Sequence, residues 1–277
     1  MTARHPIPVV PPSLPSMAEL LDLEALDTDL YRGINEVPDN GHPTLFGGQV
    51  AAQALMAAGL TVPEGRFPHS MHGYFLRTGW RDRPVIFKVE NDRDGRSFSA
   101  RRVTAVQKGE VIFDMTSSFH VVEPGSEYTT PMAAGLPGPD ECAPEPNTHN
   151  FPRAEARVIP PTRTSSKGGD ISNRMWLRIG EELADDRLVH CCAITYLSDI
   201  GTGFATVDVP GLPRGGPSLD HAIWFRSPLR ADQWMLADMW PLMAGNGRGL
   251  YAGSIHQIDG TLGATLAQEA LLRPTAE

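Results

Sequence analysis

Apolar residues along this chain recur first at helical spacing and then at every second position, and the change of period marks out its elements. Residues 17–23 predict a short helix that docks through Leu20, Leu21 and Leu23. Residues 46–59 predict a longer one, in which Val50, Ala51, Ala54, Leu55 and Ala58 recur at helical spacing. Nearly every other side chain there is small or apolar, so this helix is expected to be buried around most of its circumference. Gly59 is its stop. From His69 the period becomes two. Val85, Phe87 and Val89 alternate with Ile86, Lys88 and Glu90, and Val111, Phe113, Met115 and Phe119 alternate with Ile112, Asp114, Thr116 and His120. Asp94-Gly95 and Lys108-Gly109 fall between such runs and read as hairpin turns.

Nine prolines between positions 124 and 161, and the run TSSKGGD at 164–170, interrupt that pattern. Residues 123–170 are therefore read as a linker with partial order, and the proline-rich residues 1–16 as a loose arm. The grammar then repeats. LVHCCAITYLSDI (188–200) predicts a second apolar helix, with strands following from about Ser218. Arg77 in YFLR matches Arg226 in IWFR, Gly95-Arg96 matches Gly247-Arg248, and the turn residue Gly109 matches Gly260, all about 150 residues apart. A helix wrapped by a curved antiparallel sheet, made twice in one chain, predicts an α+β double hotdog. Residues 17–122 and 171–277 are its two units. Their sheets are expected to join edge to edge, which removes an exposed strand edge from each.

Composition narrows the function. A chain of 277 residues, 41% hydrophobic and 21% charged, can bury a sizeable core without covalent staples. A net charge of −9 argues against a phosphate-tracking nucleic-acid surface. No apolar run is long enough to span a bilayer, and the first 16 residues lack the continuous apolar stretch of a signal peptide. Three cysteines, two of them adjacent (Cys191 and Cys192), supply neither a disulfide framework nor a metal knuckle. The sequence holds no G-x-S-x-G, no G-x-x-x-x-G-K-[ST] and no H-E-x-x-H, and GNGRG (245–249) lacks the third glycine of a dinucleotide fingerprint. His69 and His72 have no third ligand in view and are read as structural. No metal and no cofactor is expected.

Three polar residues stand out. Asp199 closes the second apolar helix just before Gly201. There it lies against the negative end of the helix macrodipole, a setting suited to a general base, although taken alone the reading as an exposed carboxylate at a fraying end prevails over it. Period two from Leu262, Ala264 and Leu266 carries Gln268 onto the inward face of the last strand. A buried amide there must find partners, as a core hub or as a site residue. Ser218 opens the strand SLDHAIWF (218–225). A base, a hydroxyl and an amide can together hold and deprotonate a water, but spacing alone does not bring these three together.

The chain resembles the acyl-CoA thioesterase II family, the double-hotdog thioesterases. The resemblance lies in LFGGQVAAQAL (45–55), SMHGYFLR (70–77), DGRSFSARRV (94–103), YLSD (196–199), SLDHAIWF (218–225) and AQE (267–269), in the family's order. It implies hydrolysis of fatty acyl-CoA to free fatty acid and CoA. It also implies a catalytic set of Asp199, Ser218 and Gln268, with Asp199 activating a water that attacks the thioester directly. Gly47 and Gly48, at the start of the first-half helix, are expected on the substrate side as backbone donors to the oxyanion. His72 falls at a family histidine and is expected on the substrate side as well. A homodimer or homotetramer follows from the same resemblance. The last residues, PTAE, do not match the Ser-Lys-Leu type tripeptide of peroxisomal members, which gives a cytoplasmic expectation. Two other readings stay open: a hotdog enoyl-CoA hydratase or dehydratase using Asp220-His221, and a non-catalytic acyl-CoA-binding protein. Adjacent strand residues point to opposite faces, which tells against the first.

Overall fold

The period-two runs become strands, and the run of small residues becomes a helix that needs no polar face. The computed structural model describes residues 14–36, 42–146, 150–161 and 171–273. Most of the amino-terminal arm, the TSSKGGD run and the last four residues lie outside them. In chain order the elements are α1 (Met17–Leu21), β1 (Glu24–Asp27), β2 (Leu30–Gly33), α2 (Gly47–Gly59), β3 (Arg66–Phe75), β4 (Val85–Asp94), β5 (Phe98–Gln107) and β6 (Glu110–Val121). There follow β7 (Ala143–Pro144), β8 (Ala154–Val158), β9 (Asn173–Ile179), α3 (Arg187–Ser198), β10 (Asp220–Phe225), β11 (Met235–Gly245), β12 (Arg248–Gln257) and β13 (Leu262–Leu271).

Among the described residues, 13 strands form a single antiparallel sheet in the order β1-β2-β4-β5-β6-β3-β10-β13-β12-β11-β9-β8-β7. The order β4-β5-β6-β3 is mirrored by β10-β13-β12-β11, and the two runs meet at β3 and β10, where Ala222 lies opposite His72. The edge-to-edge junction read from the sequence is thus present. Each half contains a tight hairpin: Lys108-Gly109 between β5 and β6, and Asn246-Gly247 between β11 and β12, all take left-handed backbone, as a two-residue turn with right-handed strand twist requires.

Both helices lie on one face of this sheet and pack against each other. Residues 48–58 of α2 are all buried. A Cβ on Gly48 would lie 2.6 Å from the Tyr196 carbonyl oxygen of α3, and one on Gly59 would lie 2.4 Å from Leu188 at the other end. The two helices therefore run antiparallel at a distance that only a missing side chain allows. The buried amides of α2 bond to the strap before it: Gln53 Nε2 donates to the carbonyls of Leu20 (2.9 Å) and Ile34 (2.8 Å). Arg101 in β5 is fully buried and donates to both oxygens of Asp94 and to the Thr61 carbonyl just beyond α2. Hydrogen bonds from Ser99 and Arg101 hold the Asp94 carboxyl below the usual range. The motif at 94–103 is thus a structural tie between a hairpin and the helix.

The segment read as a linker does more than connect. Its β7 and β8 extend the sheet beyond β9. Residues around 132–142 cover the far face of the sheet over Trp176 and Leu236, with the Trp176 indole donating to the Pro137 carbonyl at 3.0 Å. That cover buries Trp176 on the face of β9 that otherwise carries arginines. Met175, Leu177 and Ile179 are buried on one face, and on the other Trp176 is buried between the half-buried Arg174 and Arg178.

Candidate active site

Asp199 follows the last turn of α3 as its C-cap. Ser218 lies two residues before β10, held by a bridge to Ala270, and Gln268 sits on the inward face of β13, only 3% exposed. These three converge. Ser218 Oγ donates to Asp199 Oδ1 at 3.0 Å, Gln268 Nε2 donates to the same oxygen at 2.9 Å, and Gln268 Nε2 also donates to Ser218 Oγ. Among the described residues no donor reaches Asp199 Oδ2. Asp199 and Ser218 open onto a cavity of about 700 Å³, while Gln268 stands behind them.

The same cavity is lined by Gly47 and, on its cationic side, by Arg77 and Arg81. Phe46 caps α2 without a side-chain bond, and the first intrahelical bond runs from Val50 N–H to the Phe46 carbonyl. The N–H groups of Gly47 and Gly48 are therefore left without helical acceptors. A Cβ on Gly47 would lie 2.7 Å from Asp199 Oδ2. The carboxylate thus meets the positive end of α2 as well as the negative end of α3. The sequence argument from α3 alone captured half of that field.

His72 is not brought here. It is exposed on the opposite face of β3 from Met71 and Gly73, edge-on to Trp224 with ring centroids 5.0 Å apart. Gly48 is turned toward α3, and its close packing sets the helix spacing. The residue that sequence reasoning weighed only for the hydratase alternative is His221, 1% exposed, whose ring meets Gln268 Oε1 and Ser198 Oγ. Its signal was available: it shares the inward phase of β10 with Ile223 and Phe225, and a histidine in an apolar phase needs partners.

Beneath α3, Tyr196 OH donates to Glu36 at 3.0 Å, and burial pushes the Glu36 carboxyl up to about 7 from 4.5. An acid with a raised folded-state pKa loses stability as pH rises between those two values, because the unfolded chain releases its proton first. Glu36→Gln keeps the acceptor for Tyr196 and removes the titration. Thermal melts of this variant are expected to lose that fall in stability between about 4.5 and about 7. An unchanged slope would refute the assignment.

Chemically, a carboxylate with one oxygen fixed by two donors and the other facing a cavity can accept a proton from a bound water. Helix N–H groups beside it can stabilise a negative oxygen. Comparisons with known proteins bear on the chain as a whole. The model for an acyl-CoA thioesterase N-terminal domain matches residues 37–120, and that for an acyl-CoA thioesterase C-terminal domain matches residues 131–272. The chain is 36% identical to acyl-CoA thioesterase 2 of Haemophilus influenzae, over 94% of its own length and 98% of that protein. It is similar to the crystal structure of an acyl-CoA thioesterase II from Mycobacterium marinum, with 38% identity, a TM-score of 0.81, and coverage of 94% and 99% of the two chains. A hot dog protein of unknown function from Alicyclobacillus acidocaldarius shares the fold at 19% identity and a TM-score of 0.75, over 94% of this chain and 98% of that one.

Proposed function

Because the chain belongs to the acyl-CoA thioesterase family, we propose that it hydrolyses fatty acyl-CoA to free fatty acid and CoA by direct attack of water activated by Asp199. The observation that carries this reading is the division of labour at the carboxylate. Ser218 and Gln268 occupy Oδ1, and Oδ2 is left toward the cavity beside the start of α2. Water donates to Oδ2 and to the remaining lone pair of Ser218, and its oxygen attacks the thioester carbonyl carbon as Asp199 takes the proton. The carbonyl electrons move onto oxygen, where the N–H groups of Gly47 and Gly48 are the donors. Their return breaks the C–S bond, and CoA leaves as a thiolate. Arg77 and Arg81 give the cavity a charge that suits the anionic CoA portion.

The experiment is a panel of acyl-CoAs from short to very long, scored by free thiol with wild type and Asp199→Asn. Thiol release by wild type, lost in the variant, supports the reading. Binding without release would favour an acyl-CoA-binding protein. The hydratase alternative gains no support. Asp220 and His221 face opposite sides of β10, with Asp220 accepting from Glu269 N–H at 2.7 Å and His221 turned to Gln268.

Gly47→Ala tests the approach of α2. Alanine is the better helix former, yet its Cβ would press on Oδ2. Stability is expected to hold or rise while kcat falls about 10-fold or more. Unchanged kcat would remove Gly47 from the site.

The double hotdog, with its units at 17–122 and 171–277 flanking the 123–170 segment, is part of this proposal, supported by the mirrored strand order. So is one working site per chain. At the mirrored position Gly59 stands where Asp199 does, and Ser117, opposite Met71, stands where Gln268 does. There the Asp186 side chain caps the start of α3, accepting from Leu188 N–H at 2.8 Å, and closes the helix end that α2 leaves open. Titration with a slowly hydrolysed acyl-CoA analogue is expected to reach one competent equivalent per chain, and two with equal turnover would refute it. A cytoplasmic homodimer or homotetramer completes the reading, with assembly checked by light scattering; an active monomer at high concentration would count against it.

A further inference from the structure

A buried polar chain runs from Asp199 away from the cavity and ends beyond a histidine outside the catalytic set. Gln268 Oε1 meets His221 Nδ1, and on the far side of the ring Nε2 lies 2.8 Å from Ser198 Oγ. The Thr195 carbonyl oxygen, 2.9 Å away, is a second acceptor within reach of that hydroxyl's single hydrogen. Ser198, His221 and Gln268 are each no more than 3% exposed, so they satisfy one another rather than solvent.

The direction of each bond follows from which groups can donate. An ionised carboxylate only accepts, so Gln268 turns its NH2 toward Asp199, and the second hydrogen of that NH2 goes to Ser218. The amide oxygen then faces the imidazole and needs a donor, which places a hydrogen on Nδ1. In a neutral ring Nε2 is left as acceptor, and the Ser198 hydroxyl turns its one hydrogen to that nitrogen rather than to the Thr195 carbonyl. With the hydrogen on Nε2 instead, the Nδ1 lone pair would oppose the amide oxygen. Turning the amide to relieve that would set its oxygen against Asp199 Oδ1. Burial lowers the basicity of the ring, which favours the neutral form. In the mirrored half, where no amide has to be aimed, the corresponding inward residue is Met71 opposite Ser117.

We infer that His221 is a positioning residue of the hydrolytic site: its Nδ1–H holds the Gln268 amide with NH2 toward Asp199 and Ser218, and so keeps Oδ2 as the oxygen that meets water. The ring lies outside the cavity lining and acts through Gln268. The inference rests on Asp199 being the base.

The test compares His221→Asn, His221→Gln and His221→Met in the full chain, with folding checked by thermal unfolding. Asparagine places an N–H near the position of Nδ1, glutamine reaches instead toward Nε2, and methionine is the residue of the mirrored half. The methionine and glutamine variants are expected to lose about 10-fold or more in kcat, with KM within about twofold, while asparagine recovers most of kcat. In ¹⁵N spectra of the wild type the His221 hydrogen is expected on Nδ1, a readout that needs no variant to fold. A hydrogen on Nε2, a folded methionine variant with wild-type kcat, or equal losses with asparagine and methionine would each overturn the inference. If Asp199→Asn is inactive while His221→Met is fully active, only this inference falls. If Asp199→Asn is active, the assignment beneath it falls.

Discussion

Asp199→Asn is expected to lower kcat by about 10²-fold or more, the scale of a positioned general base, with the fold intact and KM little changed. The substitution is close to isosteric. Its carbonyl oxygen can still accept from Ser218 and Gln268 at the Oδ1 position, where both now donate. What it loses is Oδ2, the oxygen beside Gly47 that receives no donor among the described residues. A group that acts only as the proton moves affects kcat and kcat/KM together. Steady-state kinetics on one good acyl-CoA, with a thermal melt of the same sample, provide the check. A folded variant with wild-type turnover would remove Asp199 from the mechanism.

Ser218→Ala and Gln268→Ala are each expected to cost about 10- to 10²-fold in kcat, and the double variant much less than the product of the two. Both side chains converge on one carboxylate oxygen and bond to each other, so removing either already loosens the unit on which the other acts. Their effects on stability should separate them. Gln268 is buried, and its loss leaves His221 Nδ1 without an acceptor, a cost of about 1–3 kcal/mol. Ser218 is half-buried at the cavity, and its loss should be close to neutral. A double-mutant cycle on kcat, paired with denaturant unfolding, measures both. Fully additive kinetic losses would assign the two residues to separate functions.

Much of this molecule was legible along the chain. The apolar run of α2, the alternation in β4 and β6, the Lys108-Gly109 turn and the inward phase of Gln268 are all local consequences of side-chain period and turn chemistry. The repeat at about 150 residues runs parallel to the mirrored strand order of the sheet. Elements whose character depends on a distant neighbour were hidden. Strand β1 is exposed along its whole length at the sheet edge and shows no alternation. Strand β9 buries Trp176 on its outer face, between Arg174 and Arg178, because a segment more than thirty residues earlier, around Pro137, covers it.

The candidate site divides in the same way. By itself the sequence determined which residue types were available: a carboxylate at a helix end, an inward amide, a hydroxyl at a strand start, and a glycine pair opening a helix. Each follows from a position counted along one element. Tertiary structure alone decided that the amide and hydroxyl spend their hydrogens on one oxygen of Asp199, that α2 presents its open end to the other, and that His72 faces away while His221 faces in. Periodicity places a side chain on a face. Which donor meets which lone pair depends on the packing of α2 against α3 and of β3 against β10, contacts between residues far apart in the chain.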